Sequence, residues 1–161
     1  METSRQTEMT RLGLLGLTPF VAGAAAVWLS PWALPQHVGL DFHRFALVYG
    51  GIIVAYLSGI GAGAMLTPSL RETRSFLPGM IIALAAFVAI LPNGTFFFSL
   101  GAAQRHGLIL LLLIYLLVRD LSAARAGLTP AWYGRLRVRL TLWAGASIGL
   151  IILRLVTWGQ Y

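Results

Sequence analysis

Long apolar stretches free of charged side chains are the dominant feature of this chain. Residues 12–40, 45–70 and 75–104 contain no Asp, Glu, Lys or Arg. Each is longer than the roughly 20 apolar residues that a helix needs to cross the ~30 Å hydrocarbon core of a bilayer. Charged residues make up 11% of the chain, against about 25% in a typical soluble domain. The sequence therefore predicts an all-α integral membrane protein whose residues 1–161 form a single membrane domain.

The Arg105-His106 pair decides how many helices are expected to cross the membrane. A helix that began after His106 would be apolar only over residues 107–118, which is too short to span. The "LPNG" segment favours a turn, so we start the fourth helix at Thr95, which places Arg105 inside the bilayer, ~15 Å from the helix start. Thr129 and Pro130 are typical of the cap and first residue of a last helix. The five predicted spans are residues 12–31, 45–68, 75–91, 95–118 and 138–158.

The basic residues, which are all Arg, are distributed unevenly between the two sides that five spans define. The side of the N-terminus would carry Arg5, Arg11, Arg71, Arg74, Arg119, Arg125, Arg135, Arg137 and Arg139. The opposite side would carry Arg44 and Arg154, with Arg105 closer to it. Because cytoplasmic loops are enriched in basic residues, we expect the N-terminus inside and the C-terminus outside. A cleaved signal peptide at the first apolar stretch is the competing interpretation, although the apolar residues continue through Trp28 and Leu29.

Small residues recur at every fourth position of the second span, at Gly51, Ala55, Gly59 and Gly63. Small residues let transmembrane helices approach closely, which is how helices associate in lipid. The pattern therefore favours a helix-packing seam within the bundle or a docking surface for a partner membrane protein. A pore lining or a flexible gate is the alternative function.

A basic and aromatic segment, "AWYGRLRVRL", leads into the last span. Helical spacing puts Arg135 and Arg139 on one face and Arg137 roughly on the opposite face. Arginine binds phosphate groups bidentately, and a basic collar at the membrane surface is typical of anionic lipid recognition. We therefore expect these three arginines to contact lipid headgroups. Nucleic acid is not expected as a partner, because its binding would need a basic face clear of the headgroups.

Arg105 and His106 are the polar pair that this prediction places within the bilayer. Intramembrane ionisable residues commonly mark substrate or proton pathways, and His106 could serve as a haem ligand. The alternative is that Arg105 extends its guanidinium toward the outer headgroups. A haem would need a second axial ligand at the same depth, whereas the predicted spans leave His37 and His43 in a loop outside the membrane.

Sequence patterns for catalysis are absent. The chain has no Walker-type Gly-Lys-Ser/Thr, no His-Glu-x-x-His and no paired carboxylates, and its lack of Cys excludes thiolate chemistry. We expect no enzyme activity, no metal and no cofactor. The favoured hypothesis is a non-catalytic accessory or assembly subunit of an inner-membrane complex, respiratory or photosynthetic, that contacts anionic lipids and partner membrane proteins. A small transporter or lipid-handling protein that uses Arg105, and a redox protein linked to haem or quinone, are the alternatives.

Three stretches together resemble the transmembrane protein 69 family, whose domain of unknown function (DUF3429) also occurs in bacteria. They are "LGLLGLTPFVAG" in the first span, "YGGIIVAYLSGIGAGAML" in the second and "LTPAWYGRLRVRLT" before the last. The "PAWYGRLR" element, residues 130–137, is the most specific of them. The resemblance implies a five-helix protein of the bacterial cytoplasmic membrane, or of the mitochondrial inner membrane in a eukaryote. It implies no biochemical role.

Overall fold

The computed structural model describes residues 2–30, 32–64, 76–92, 95 and 99–157. The secondary structure of these residues consists of helices, with no strand among them. The α-helices are α1 (Glu2–Leu15), α2 (Thr18–Leu29), α3 (Gln36–Ala64), α4 (Leu77–Ile90), α5 (Ala102–Arg125) and α6 (Ala131–Thr157). The all-α class that the apolar stretches predict is therefore confirmed.

Four helical segments of the described chain are long and apolar enough to cross a membrane. They are Gln6–Leu29, Gln36–Gly63, Ala102–Arg125 and Trp132–Thr157. The remaining predicted span corresponds to α4, an apolar helix of 14 residues. At 1.5 Å per residue α4 is about 21 Å long, shorter than a typical bilayer core, and the chain just before it lies outside the described residues. The four long helical segments are therefore compatible with the predicted membrane protein, and α4 is shorter than each of them.

The first span contains a break between α1 and α2. Pro19 lies in the first turn of α2, where its missing N–H leaves no intrahelical hydrogen bond unmade. The backbone N–H of Leu17 bonds the carbonyl of Leu14 at 3.1 Å, so the chain tightens there. The carbonyl of Gly16 is left to accept a hydrogen bond from the Tyr49 hydroxyl at 2.8 Å. This bond ties the break in the first span to the middle of α3.

Contacts between the helices show that the chain reverses direction from one span to the next. The pairs that establish this are Gly16–Tyr49 and Ser30–Gly39 for α2 and α3, Ser58–Gly79 and Gly51–Ile90 for α3 and α4, Gly50–Ile109 and Leu57–Arg119 for α3 and α5, and Asp120–Arg137 and Leu110–Gly145 for α5 and α6. The start of α1 and the end of α6 therefore lie at opposite ends of the bundle. We call these the N-terminal end and the C-terminal end of the bundle.

The core is built from apolar side chains that the helices share. Phe20, Val54, Ile109, Leu116 and Ile148 are each at most 2% exposed. The outer surface is also apolar, since many large hydrophobic side chains such as those of α4 and the outer face of α5 are exposed. In lipid the hydrophobic effect does not separate such an exterior from the core, so packing and interhelical hydrogen bonds must hold the helices together.

The helix that carries Arg105 begins later than predicted. α5 starts at Ala102, and its preceding residue Gly101 is extended, with φ −63° and ψ 154°. The backbone N–H of Gly101 donates to Oε1 of Gln104 at 3.0 Å, which satisfies a donor at the helix start. The predicted start near Thr95 is wrong. Arg105 consequently lies in the first turn of α5, about 5 Å from its beginning, at the C-terminal end of the bundle.

A tight turn connects α5 to α6. Gly127 has a φ of +72°, and the N–H groups of Gly127 and Leu128 bond the carbonyls of Ala124 and Ala123. This is a Schellman ending, which needs a left-handed residue after the last helical turn. Pro130 then precedes α6, and the short connection makes α5 and α6 antiparallel neighbours. The Thr129 hydroxyl, expected to cap α6, makes no hydrogen bond with the described residues.

Candidate functional site

A cavity of about 430 Å³ lies between α1, α3, α5 and α6, in the half of the bundle nearer the N-terminal end. Its polar lining residues are Tyr49, Tyr56, Tyr133, Arg137 and Thr141. The rest of its wall is apolar side chains and glycine, namely Met9, Leu12, Gly13, Gly16, Leu17, Phe20, Ile53, Leu57, Ile60, Leu113, Leu136, Leu140 and Ala144. Pockets that hold small organic ligands have this size and this mixture of apolar wall and few polar groups.

The cavity exists because α1 stands apart from the other helices. Gly13 of α1 approaches the side chain of Leu140 on α6 so closely that a Cβ there would lie 2.8 Å from Leu140 Cδ1. On the other side α1 is held through Gly16, whose carbonyl accepts the Tyr49 hydroxyl. The Tyr49 ring in turn packs edge-on against Phe20, with centroids 5.2 Å apart. These contacts fix the deep part of the cavity and leave space between α1 and α3.

Charged side chains of α5 and α6 meet beside the cavity. Arg137 Nε donates to Oδ2 of Asp120 at 2.7 Å, and Arg119 Nη2 lies 3.6 Å from Oδ1 of the same carboxylate. Arg119 Nη2 also donates to the backbone carbonyl of Leu57 at 3.3 Å. One carboxylate thus lies between two guanidinium groups, and the cluster connects α3, α5 and α6. We call Arg119, Asp120 and Arg137 the charge cluster.

Two residues that line the cavity each carry a buried polar atom that has no partner in the described part of the chain. These atoms are Nη2 of Arg137 and Oγ1 of Thr141. The two residues are four apart on α6 and therefore lie on the same helix face. Arg137 is 5% exposed and Thr141 is 6% exposed. Buried polar groups are almost always hydrogen-bonded, so a donor pair of this kind points to a group that is not part of the described chain.

The structure separates the three arginines expected at the headgroups. Arg135 and Arg139 are exposed, as their shared face predicts, whereas Arg137 is buried against Asp120. The prediction that Arg137 lies on the opposite face agrees with this arrangement. Headgroup contact by all three remains a prediction.

The small residues of α3 divide into two groups. Gly51 packs against α4, where a Cβ would overlap the side chain of Ile90 and lie 3.4 Å from the carbonyl of Ala86. Gly59 and Gly63 have nothing of the described chain within 4 Å of such a Cβ, and Ala55 is exposed. The seam is therefore internal at its first residue and open on the surface at the other three.

His106 is packed against a second histidine from α3. Its ring centroid lies 5.6 Å from that of His43, and His106 is 1% exposed. Its Nδ1 donates to the carbonyl of Ala102 at 2.9 Å. The prediction that His37 and His43 belong to a loop is wrong, because α3 already begins at Gln36. Arg105, next to His106, does not line the cavity beside α1.

Arg154 forms a further polar cluster at the C-terminal end of the bundle. Its Nη2 donates to the carbonyl of Ser30 at 2.9 Å and its Nε to that of Val27 at 3.4 Å. Its guanidinium carbon lies 5.1 Å from the centre of the Trp28 ring. A small cavity of about 20 Å³ lies beside Arg154, Ser30 and His43, which is room for about one water molecule. Arg154 is thus buried, and its guanidinium satisfies carbonyls at the end of α2.

The pairing of Asp120 with Arg137 and the cavity beside it were not predicted from the sequence. A signal for the pairing was present, since the two residues lie at nearly equal distances from the short connection at 126–130. In an antiparallel helix pair, such residues reach the same level. The cavity has no comparable sequence signal, because it depends on how α1 is placed relative to α3 and α6.

The comparisons with known proteins add one match. A family model described as "Protein of unknown function (DUF3429)" matches residues 5–153. No curated protein and no solved structure matches the chain. The match covers the first three long helical segments, α4 and the last segment up to residue 153, and both the cavity and the charge cluster lie within it.

Proposed function

This chain belongs to the DUF3429 family, described as proteins of unknown function, and we propose that it is a lipid-handling membrane protein that binds an amphiphile in the cavity beside α1. The family resemblance inferred from its sequence is confirmed for DUF3429, while the transmembrane protein 69 name stays a prediction. The ligand would place an apolar portion among the side chains of α1 and α3 and a polar portion beside Arg137.

The cavity is the observation that carries this proposal. It combines about 430 Å³ of space, a mostly apolar wall and a few polar residues, as binding sites for small organic molecules do. It borders on α1, which makes few interactions with the rest of the bundle. Entry from the surrounding lipid between α1 and α3 would then need only a small displacement.

The proposed setting is a cytoplasmic or mitochondrial inner membrane crossed five times, with the N-terminus inside. Among the described residues, Arg11, Arg119, Arg125, Arg135, Arg137 and Arg139 belong to the N-terminal end of the bundle, and Arg44, Arg105 and Arg154 to the other end. The alternating helix directions and this excess of positive charge support the orientation under the positive-inside rule. α4 would have to thin the local bilayer or extend through its neighbouring residues, as short spans do.

Co-purification of lipid tests the proposal. Ile60 lines the cavity and is 43% exposed, so Ile60→Trp should reduce the available space. Ile52, two turns earlier on the same helix, is 56% exposed and does not line the cavity, so Ile52→Trp is the matched control. Each protein is delipidated in mild detergent, reconstituted with membrane lipids and purified again. Mass spectrometry should then find bound amphiphile with the wild type and with Ile52→Trp, and much less with Ile60→Trp. Equal amounts in all three proteins would contradict the proposal.

A non-catalytic accessory or assembly subunit is the second candidate. The exposed surface of Ala55, Gly59 and Gly63 supports it, because small residues on a lipid-facing helix allow another helix to approach closely. A large side chain introduced by Gly59→Leu should then block the approach of the partner helix. The stoichiometric partner should be lost in mild-detergent purification, while lipid binding in the cavity should persist. A wild-type protein purified without any stoichiometric partner would count against this role.

The two other roles carry less structural support. A transporter centred on Arg105 would need a cavity that reaches this residue, and neither cavity described above includes it. A redox role would use His106, whose contact with His43 is that of two rings packed directly against one another. A visible absorbance band in the purified protein would be the evidence for it.

A further inference from the structure

The charge cluster carries more positive than negative charge. Arg119 and Arg137 contribute two guanidinium groups, and Asp120 contributes one carboxylate, so the sum is one positive charge. Both carboxylate oxygens are already engaged, Oδ1 by Arg119 and Oδ2 by Arg137. Within the described residues the cluster therefore attracts an anion and offers no free carboxylate to a cation.

Arg137 is also oriented by its partner. Its Nε donates to Asp120, and this bond restricts the orientation of the guanidinium. Nη2 of Arg137 is buried and has no hydrogen-bond partner in the described chain. The hydroxyl of Thr141, one turn further along α6, is also buried without such a partner. An arginine nitrogen can only donate, and a hydroxyl can donate as well. The arrangement suits an acceptor with more than one oxygen, such as a phosphate or a carboxylate.

We propose that Arg137 and Thr141 bind the anionic oxygens of an amphiphile whose apolar chain occupies the cavity, with Asp120 as the residue that positions Arg137. This inference rests on the proposed function, because it assigns the headgroup of the ligand held in the same cavity. The shared chemistry is an oxyanion, which either a lipid headgroup or free phosphate could supply. Arg135 and Arg139, on the outer face of α6, do not contribute to this site.

The test compares headgroups and arginines at the same time. Delipidated protein is reconstituted with phosphatidylglycerol or with diacylglycerol, which has the same acyl chains and no phosphate, and the lipid retained after repurification is quantified. The wild type, Arg135→Gln and Arg139→Gln should retain the anionic lipid preferentially, and Arg137→Gln should lose that preference by about tenfold, the loss expected for one charge-assisted hydrogen bond. Equal retention of the two lipids by the wild type would overturn the headgroup assignment and leave the cavity proposal standing, whereas retention of neither would overturn both.

Two further arms keep the result interpretable. Thr141→Val removes a donor without touching the charge cluster, so it should lower retention of phosphatidylglycerol severalfold even if Arg137→Gln fails to fold. If Thr141→Val folds normally and retains as much phosphatidylglycerol as the wild type, the proposal that Arg137 and Thr141 together bind the headgroup is overturned. Binding of inorganic phosphate by the delipidated wild type, without preferential retention of phosphatidylglycerol, would assign the oxyanion site to a soluble anion. Preferential retention of phosphatidylglycerol assigns it to the lipid headgroup.

Discussion

The guanidinium of Arg119 occupies the space where a side chain at residue 61 would begin. A Cβ on Gly61 would overlap this guanidinium, and the same group donates to the carbonyl of Leu57 and lies beside Asp120. Glycine at this position of α3 therefore leaves room for the guanidinium of Arg119, which is one of the two cations of the charge cluster. The relationship connects the glycine-rich end of α3 to the proposed binding site.

Gly61→Ala should consequently destabilise the protein. The new methyl group displaces the end of the Arg119 side chain and weakens its hydrogen bond to the carbonyl of Leu57. We expect a loss of about 0.5–1.5 kcal/mol in the free energy of unfolding relative to Gly59→Ala, the range for one hydrogen bond. Unfolding in mixed micelles, followed by circular dichroism, would measure it. Gly59→Ala is the matched control, because a Cβ there meets nothing of the described chain and alanine favours the helix. Equal effects of the two substitutions would show that Arg119 does not depend on Gly61.

More of the fold than of the candidate site could be predicted from the sequence. Apolar stretches specify helices because each must supply all backbone hydrogen bonds internally in lipid, and this requirement is visible in the sequence. The start of α5 was not predicted. The turn formers at 91–94 suggested a start near Thr95, whereas the helix begins where the N–H of Gly101 bonds the side chain of Gln104. His43 was assigned to a loop because Asp41 and Arg44 interrupt the apolar pattern, yet α3 continues through them. Contacts between distant helices, such as Asp120 with Arg137, depend on packing that a single sequence does not display.

The pair His43 and His106 should contribute to stability jointly. Each ring fills space in the contact between α3 and α5, so His43→Ala or His106→Ala should leave a cavity and cost about 2–4 kcal/mol in the free energy of unfolding. Their direct ring contact predicts that the double variant loses about 0.5–1.5 kcal/mol less than the sum of the two single variants. A double-mutant cycle measured by unfolding would give this coupling, and strictly additive losses would contradict the contact.

Arg154 should be required for the attachment of α2 to α6. Arg154→Leu removes the donors to the carbonyls of Val27 and Ser30, and we expect a loss of about 3 kcal/mol, given 1.5–3 kcal/mol for each hydrogen bond to a charged group. Arg44→Leu at the same end of the bundle is the control, since Arg44 is exposed and exposed substitutions typically change stability by less than about 0.5 kcal/mol. Thermal unfolding in detergent would compare the two variants. Similar losses from both would refute the role assigned to Arg154.

The orientation of the chain can be tested directly because it contains no Cys. A single cysteine introduced by Ala126→Cys, in the connection between α5 and α6, reports on the N-terminal end of the bundle. Ala33→Cys, between α2 and α3, reports on the C-terminal end, and both alanines are exposed. An N-terminus inside the cell predicts that a membrane-impermeant maleimide labels Ala33→Cys in intact cells and labels Ala126→Cys only after lysis. The reverse pattern would invert the topology, and labelling of both from outside would mean that these two connections lie on the same side, which the alternating directions of α3, α4 and α5 do not allow.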